Sequence, residues 1–159
     1  NKYHDGFSGH AYIGSWVNLG ALTTNSDLKN DYTEVSVKIP SGIQKTGSNK
    51  VGAIIGDFVK CSIGSLINTG AVIASGSMTV ASGRMSPQFI PPFSMFIKNE
   101  LRDIRSLEDF LITLKIQMNR RICNLSEKLE TLIMELYNST TNQRMREFNS
   151  WNTENKKKK

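Results

Sequence analysis

The sequence predicts a mainly β protein: a left-handed parallel β-helix of hexapeptide repeats, followed by a C-terminal α-helical appendage. Small or branched apolar residues recur every six positions at Ile55, Cys61, Ile67 and Ile73. A period of six fits neither an isolated helix nor a simple strand. It is typical of β-helices in which each six-residue unit forms one flat side of a triangular coil. The second observation is a change of the apolar period to 3.6 residues after Ser106, which indicates helices.

The fifth position of each six-residue unit is also small or β-branched. These residues are Val59, Ser65, Ala71 and Ser77. Two further units begin upstream in the same frame, at Ile13 and Leu19. Because stacked coils bury each other's faces, we expect the first position to point into the coil. The small residue at the fifth position is expected to fit near a tight corner, where a large side chain would clash. The alternative is a set of short strands with glycine-rich turns, which would not require a constant spacing of six.

The predicted β-helix spans residues 1–85 and contains an inserted loop and hairpin at residues 26–50. The six-residue frame stops after Thr24, where turn-forming residues follow. Residues 34–45 alternate apolar and polar side chains around a Pro-Ser-Gly turn, which predicts a hairpin. Loops on a rigid scaffold often carry binding residues, so this insertion is where we expect a site.

A proline-rich exit segment is predicted at residues 86–105. Pro87, Pro91 and Pro92 oppose regular structure, so the β-helix is expected to end before them. A repeat protein has to cover its last coil. We therefore expect nearby Phe89, Ile90 and Phe93 to pack over that open end.

The helical appendage is predicted at residues 106–151. Ser106 and Asp109 have the spacing of an N-terminal cap, and an apolar stripe follows them. A second helix is expected to begin at Asn124 or Ser126, with a weaker third helix around Phe148. Residues 152–159 are polar and basic, and we expect them to be disordered.

The formal net charge of +6 comes largely from the four lysines at positions 156–159. Without them the chain has 16 basic and 14 acidic residues, so nucleic-acid binding is not expected. Two cysteines without a CxxC motif fit a reducing, cytoplasmic setting. The absence of an 18-residue apolar run argues against a membrane partner. Although His4 and His10 are close in sequence, nothing completes a metal site, so none is predicted.

Several segments carry a resemblance to a known family. They are GHAYIGSWVNLGALTTNSDLKNDY, the hairpin, GAIIGDFVKCSIGSLINTGAVI, SPQFIPPFS and MNRRICNLSEKLETLIMELY. Over residues 1–138 the chain resembles the C-terminal half of bacterial sugar-1-phosphate nucleotidylyltransferases. The branch is the one related to bifunctional N-acetylglucosamine-1-phosphate uridylyltransferase/glucosamine-1-phosphate acetyltransferase. In that family a Rossmann-like nucleotidyl-transfer domain precedes a left-handed β-helix. This chain has no Gly-rich nucleotide signature, so we expect it to be part of a longer protein.

The resemblance implies an acceptor site made by a histidine, a tyrosine and a loop asparagine, with acyl-CoA as co-substrate and no tightly bound cofactor. His10 matches the histidine, which acts as the base, and Tyr12 matches the tyrosine at a spacing one residue tighter than the family's. Asn25 matches the loop asparagine, and Lys29 is the nearest match to a lysine that binds the sugar phosphate. A general base that titrates near neutral pH suits this chemistry. We expect these four residues to gather at one edge of the β-helix.

Two functions remain open at this point. In the first, the β-helix transfers an acyl group from acyl-CoA to a sugar phosphate. In the second, it is a non-catalytic scaffold that trimerises an attached nucleotidylyltransferase domain. The resemblance implies a homotrimer in both cases. Apolar residues at outward positions could form its interface, and these are Trp16, Leu22, Phe58 and Leu66. The alternative is that the C-terminal helices cover them.

Overall fold

The computed structural model describes residues 3–156 and combines many short strands, mostly in parallel sheets, with three helices. The strands are β1 (Tyr12–Ile13), β2 (Asn18–Leu19), β3 (Thr24–Asn25), β4 (Ser36–Ile39), β5 (Gly42–Lys45), β6 (Ile54–Ile55), β7 (Lys60–Cys61), β8 (Leu66–Ile67), β9 (Val72–Ile73), β10 (Met78–Thr79), β11 (Phe89–Ile90), β12 (Ser94–Ile97) and β13 (Glu100–Asp103). The helices are α1 (Leu107–Asn119), α2 (Glu127–Ser139) and α3 (Thr141–Lys156). The predicted combination of many short strands with C-terminal helices is confirmed, although the protein is mixed α/β rather than mainly β.

Successive strands enter three parallel sheets in turn. The sheets have the orders β1-β6-β9-β11, β2-β7-β10-β12 and β3-β8. Paired residues such as Ile54 and Val72, or Lys60 and Met78, are 18 positions apart, which is three units of six. The pair formed by Tyr12 and Ile54, at the start of the array, is instead 42 positions apart. The 24 additional residues are the insertion, which contains the antiparallel hairpin β4–β5.

The predicted inward positions are buried in the middle of this array. Ile55, Cys61, Ile67 and Ile73 are each at most 2% exposed and belong to one apolar cluster. Burial raises the pKa of the Cys61 thiol, as expected for a cysteine that acts as a small apolar side chain. Ile13 differs, because it is 42% exposed. It lies on β1, an edge strand, where no described strand stacks against its outer side.

Between successive strands, a left-handed backbone recurs at intervals of six residues in two runs, one before the insertion and one after it, and these positions are called corners below. The φ angle is positive at His10, Trp16, Leu22, Phe58, Gly64, Gly70 and Gly76. This conformation costs about 1–2 kcal/mol for residues other than glycine. Four of these seven corners nevertheless carry a side chain, and His10 is one of them.

The proline-rich segment does not leave the sheets, contrary to the prediction. β11 pairs with β9, and β12 pairs with β10, so the parallel array continues to Ile97. The carbonyls of Gln88 and Ile90 accept hydrogen bonds from β9. Backbone groups alternate in direction along a strand, so Pro91 faces away from β9, on the edge of that sheet. Its missing N–H therefore removes no bond of this ladder.

The end of the array is closed by β13 and α3. β13 turns back antiparallel to β12, and the buried apolar cluster there includes Phe96, Leu101 and Phe148. Phe89, Ile90 and Phe93 are buried as well. The side-chain amide of Asn152 accepts from the Leu101 N–H (3.1 Å) and donates to the Leu101 carbonyl (2.9 Å). The prediction of disorder from residue 152 is thus wrong for residues 152–156, while residues 157–159 lie outside the described range.

Asn152→Ala is expected to lower the free energy of unfolding by about 1–3 kcal/mol, because both polar groups of the buried Leu101 backbone would lose their partner. Urea denaturation would measure this change. Asn149→Ala on the exposed side of α3 is the matched control and should have a much smaller effect. Equal effects of the two substitutions would contradict the role given to Asn152.

The helices cover one side of the strand array. Ser106 and Ser126 cap α1 and α2 by accepting from Asp109 N–H (3.0 Å) and Leu129 N–H (3.3 Å). Phe110, Leu114 and Met118 of α1 are buried in one cluster with Phe93 and Phe58. Trp16 packs against the same cluster. Two of the four outward apolar residues are therefore covered by the appendage, and Leu22 and Leu66 are not.

Candidate functional site

The two ends of the insertion, at residues 27–28 and 50–51, lie side by side next to His10. This place is called the neck below. The Val51 N–H donates to the Asp27 carbonyl, and the Gly52 N–H donates to the His10 carbonyl, both at 2.9 Å. Leu28 and Lys50 form an antiparallel bridge across the same neck. The chain thus leaves and re-enters the repeat at one place, and the residues there are held by backbone hydrogen bonds from both sides.

His10 and Asp27 form a close pair at this neck. The distance between His10 Nδ1 and Asp27 Oδ2 is 2.6 Å. The His10 side chain is 54% exposed, whereas that of Asp27 is 17% exposed. With the proton on Nδ1 donated to the carboxylate, Nε2 has a free lone pair for accepting a proton. A carboxylate in this position orients the imidazole and stabilises the imidazolium that forms.

The side chain of Asn25 points into the protein, where it contacts the backbone next to this pair. It is buried, with its Nδ2 donating to the carbonyls of Gly9 (2.9 Å) and Ser26 (3.2 Å). The amide group therefore holds the backbone directly before His10, at Gly9, and directly before Asp27, at Ser26. A Cβ on Gly9 would lie 2.2 Å from the Phe7 ring and 2.8 Å from Asp27 Oδ2, so at least one of these side chains would have to move to admit it. The hydrogen bond to Asp27 is the contact that orients the imidazole.

Tyr12 and Lys29 have different surroundings. Tyr12 lies on β1 two residues after His10, and it is largely exposed. The Lys29 ammonium donates to the Thr33 hydroxyl (3.0 Å) and to the Glu34 carbonyl, within its own loop. Lys29 also lines a recess of about 740 Å³ together with Lys38, Asn68 and Gln88. Among the residues described as lining this recess, His10, Tyr12 and Asn25 do not occur.

The structure thus places His10 and Asn25 next to each other, with Tyr12 on the adjoining strand. Lys29 is turned towards Thr33 and Glu34. Asp27 is the candidate residue that sequence reasoning missed. It follows His10 by 17 positions, close to the 18-residue offset of the strand pairs, and this places its carboxylate within reach of the imidazole. That offset was the signal available in the sequence.

Comparison with known proteins leaves the family open: neither the protein-family models nor the curated proteins give a match. Within residues 3–156, no three His, Cys, Asp or Glu side chains are grouped so that they could hold a metal ion. None of the helices in that range has the length and apolar character needed to cross a bilayer.

Proposed function

We propose that this chain forms a left-handed parallel β-helix of the hexapeptide type and transfers an acyl group from acyl-CoA to an amino or hydroxyl group of a sugar phosphate. The 18-residue strand register and the left-handed corners support the fold. The observation that carries the activity is the His10–Asp27 pair, an exposed imidazole whose Nδ1 is held by a carboxylate.

In the proposed reaction, His10 Nε2 takes the proton from the acceptor amine or hydroxyl as that group attacks the thioester carbonyl. The bond from the carbonyl carbon to sulfur then breaks, and the imidazolium returns its proton to the leaving thiolate. Asp27 keeps the imidazole in the tautomer that presents Nε2 and stabilises its charged form. Tyr12 lies on the same exposed edge and is available to contact the acceptor.

The activity is tested by transfer from acetyl-CoA to glucosamine 1-phosphate, with the free thiol of CoA as the product detected. Calorimetric titration with acetyl-CoA measures binding of the first substrate independently. Turnover together with saturable binding would support the proposal. If these two substrates do not react and acetyl-CoA does not bind, the acyltransferase proposal is wrong for this chain.

A second candidate, a trimerising scaffold without chemistry of its own, is favoured by an apolar strip on the β3–β8 side. Leu66 in β8 and its bridge partner Met85 are both exposed, at 38% and 41%. Leu22 at one corner and Ile63 next to another are exposed as well, at 59% and 70%. A strip of this kind indicates a contact with another chain, and a second and third copy of this chain are the proposed partners.

The chain is expected to have the mass of a trimer in light scattering at micromolar concentration. Leu66→Asp should shift the mass towards that of the monomer, because it would place a charge in the strip. Ile43→Asp, which changes an exposed isoleucine of the hairpin, should leave the mass unchanged. A monomer mass for the unmodified chain would rule out the trimer.

A further inference from the structure

A cleft separate from the His10 site lies between α1 and the outer face of one sheet. Its floor is formed by three residues in register on adjacent strands, Lys60 of β7, Met78 of β10 and Met95 of β12. Phe110 of α1 lies along its wall. The volume is about 450 Å³, within the range of small-molecule sites, which is about 300–1,000 Å³.

Lys60 is the unusual residue of this cleft. Its ammonium lies 5.5 Å from the centre of the Phe110 ring, and this cation–π contact is a weak interaction compared with an ion pair. The ion pairs found in residues 3–156 do not include Lys60. Burial lowers the pKa of this lysine, because desolvation opposes its charged form. A half-buried ammonium that takes part in none of these ion pairs is a position where a bound anion would be stabilised.

The other charges around the cleft set the charge of such an anion. Arg105 and Asp109 lie at its mouth and are both exposed, and with Lys60 they give a net charge of +1. This matches an anion with a single charge better than a phosphate, which carries about −1.5 to −2 at neutral pH. The rest of the lining is mainly apolar, with Met78, Met95 and Ile104 around the lysine.

We propose that this cleft binds a small monocarboxylate with an apolar body, its carboxylate on the Lys60 ammonium and its apolar part against Met78, Met95 and Phe110. Methionine side chains adapt to apolar groups of different shape, so a range of aliphatic carboxylates is accepted. The carboxylate determines how the ligand is oriented, because Lys60 is the charged group on the floor of the cleft. No residue of the His10 site lines the cleft, so this binding is independent of the proposed acyl transfer.

Isothermal titration calorimetry with octanoate tests this proposal directly. Octanoate is expected to bind the whole chain at one site, while 1-octanol, which has the same apolar body without the charge, binds at least tenfold more weakly. Lys60→Met keeps the apolar stem and removes the charge, and it should weaken octanoate binding at least tenfold. Lys45→Met changes a highly exposed lysine on the hairpin and should leave the affinity unchanged.

A second readout does not depend on the stability of the variant. Reductive methylation with ¹³C-formaldehyde labels the lysines, and the resonance of Lys60 should shift when octanoate is added to the folded chain. Inorganic phosphate should produce no comparable shift at the same concentration. The proposal is overturned by absence of octanoate binding, by equal binding to Lys60→Met, or by a phosphate response that matches the octanoate response.

Discussion

His10→Ala is expected to lower the rate of acyl transfer by about 10²–10⁴-fold, the usual cost of removing a general base. The melting temperature should change little, because the side chain is more than half exposed and its removal leaves the backbone bonds of the neck in place. The assay is release of free thiol from acetyl-CoA in the presence of glucosamine 1-phosphate. Thermal unfolding of the same samples shows whether the loss is chemical rather than structural.

Two companion variants separate the role of the base from general damage. Asp27→Asn should also reduce the rate, because the amide no longer stabilises the imidazolium. His4→Ala removes the other histidine of the chain and should retain turnover. If the unmodified chain is active and His10→Ala is equally active, the assignment of His10 as the base is wrong.

Ile67→Asp is expected to lower the free energy of unfolding by on the order of 3–5 kcal/mol, since it would place an unpaired carboxylate in the closed interior. Ile67 is 1% exposed and belongs to the main apolar cluster. For a chain of 159 residues this corresponds to a fall in melting temperature of roughly 10 °C or more. Urea denaturation and thermal unfolding both measure it.

Ile43→Asp is the matched control for this experiment, because Ile43 is 74% exposed on the hairpin. Its effect should stay within about 0.5 kcal/mol, as for most surface substitutions. An Ile67→Asp variant with the melting temperature of the unmodified chain would contradict burial of the six-residue positions. The comparison also distinguishes the interior from the hairpin, which packs against the sheets from outside.

The spacing of six predicted which residues are buried, because this spacing can be read from the sequence without knowing which distant segments come into contact. Ile55, Cys61, Ile67 and Ile73 point inward as the period requires. The continuation of the parallel strands past Pro91 could not be predicted in the same way. It depends on whether the backbone nitrogen of Pro91 faces the neighbouring strand or the open edge of the sheet. The ordered residues after Trp151 were missed because Asn152 is fixed by a strand 51 positions earlier, and composition does not show such a partner.

The candidate site was predicted only in part for a related reason. Asn25 reaches the backbone beside His10 by donating to the Gly9 carbonyl, and it does so from strand β3 rather than from the loop in which the sequence placed it. Lys29 lies in the irregular insertion, where local hydrogen bonds to Thr33 and Glu34 decide its direction. Asp27 was missed because it lies just beyond the point where the six-residue frame stops, so its spacing from His10 was not used.

The closure by β13 and Asn152 has a consequence for how the protein behaves at high concentration. Stacked parallel coils have no intrinsic length limit, and an unpaired last strand is a template on which another chain can add in the manner of a growing fibril. Here the antiparallel turn changes the strand direction, and the Asn152 amide occupies both backbone groups of Leu101. This end of the molecule is therefore protected against end-to-end polymerisation by a single side chain of the last helix together with one reversed strand.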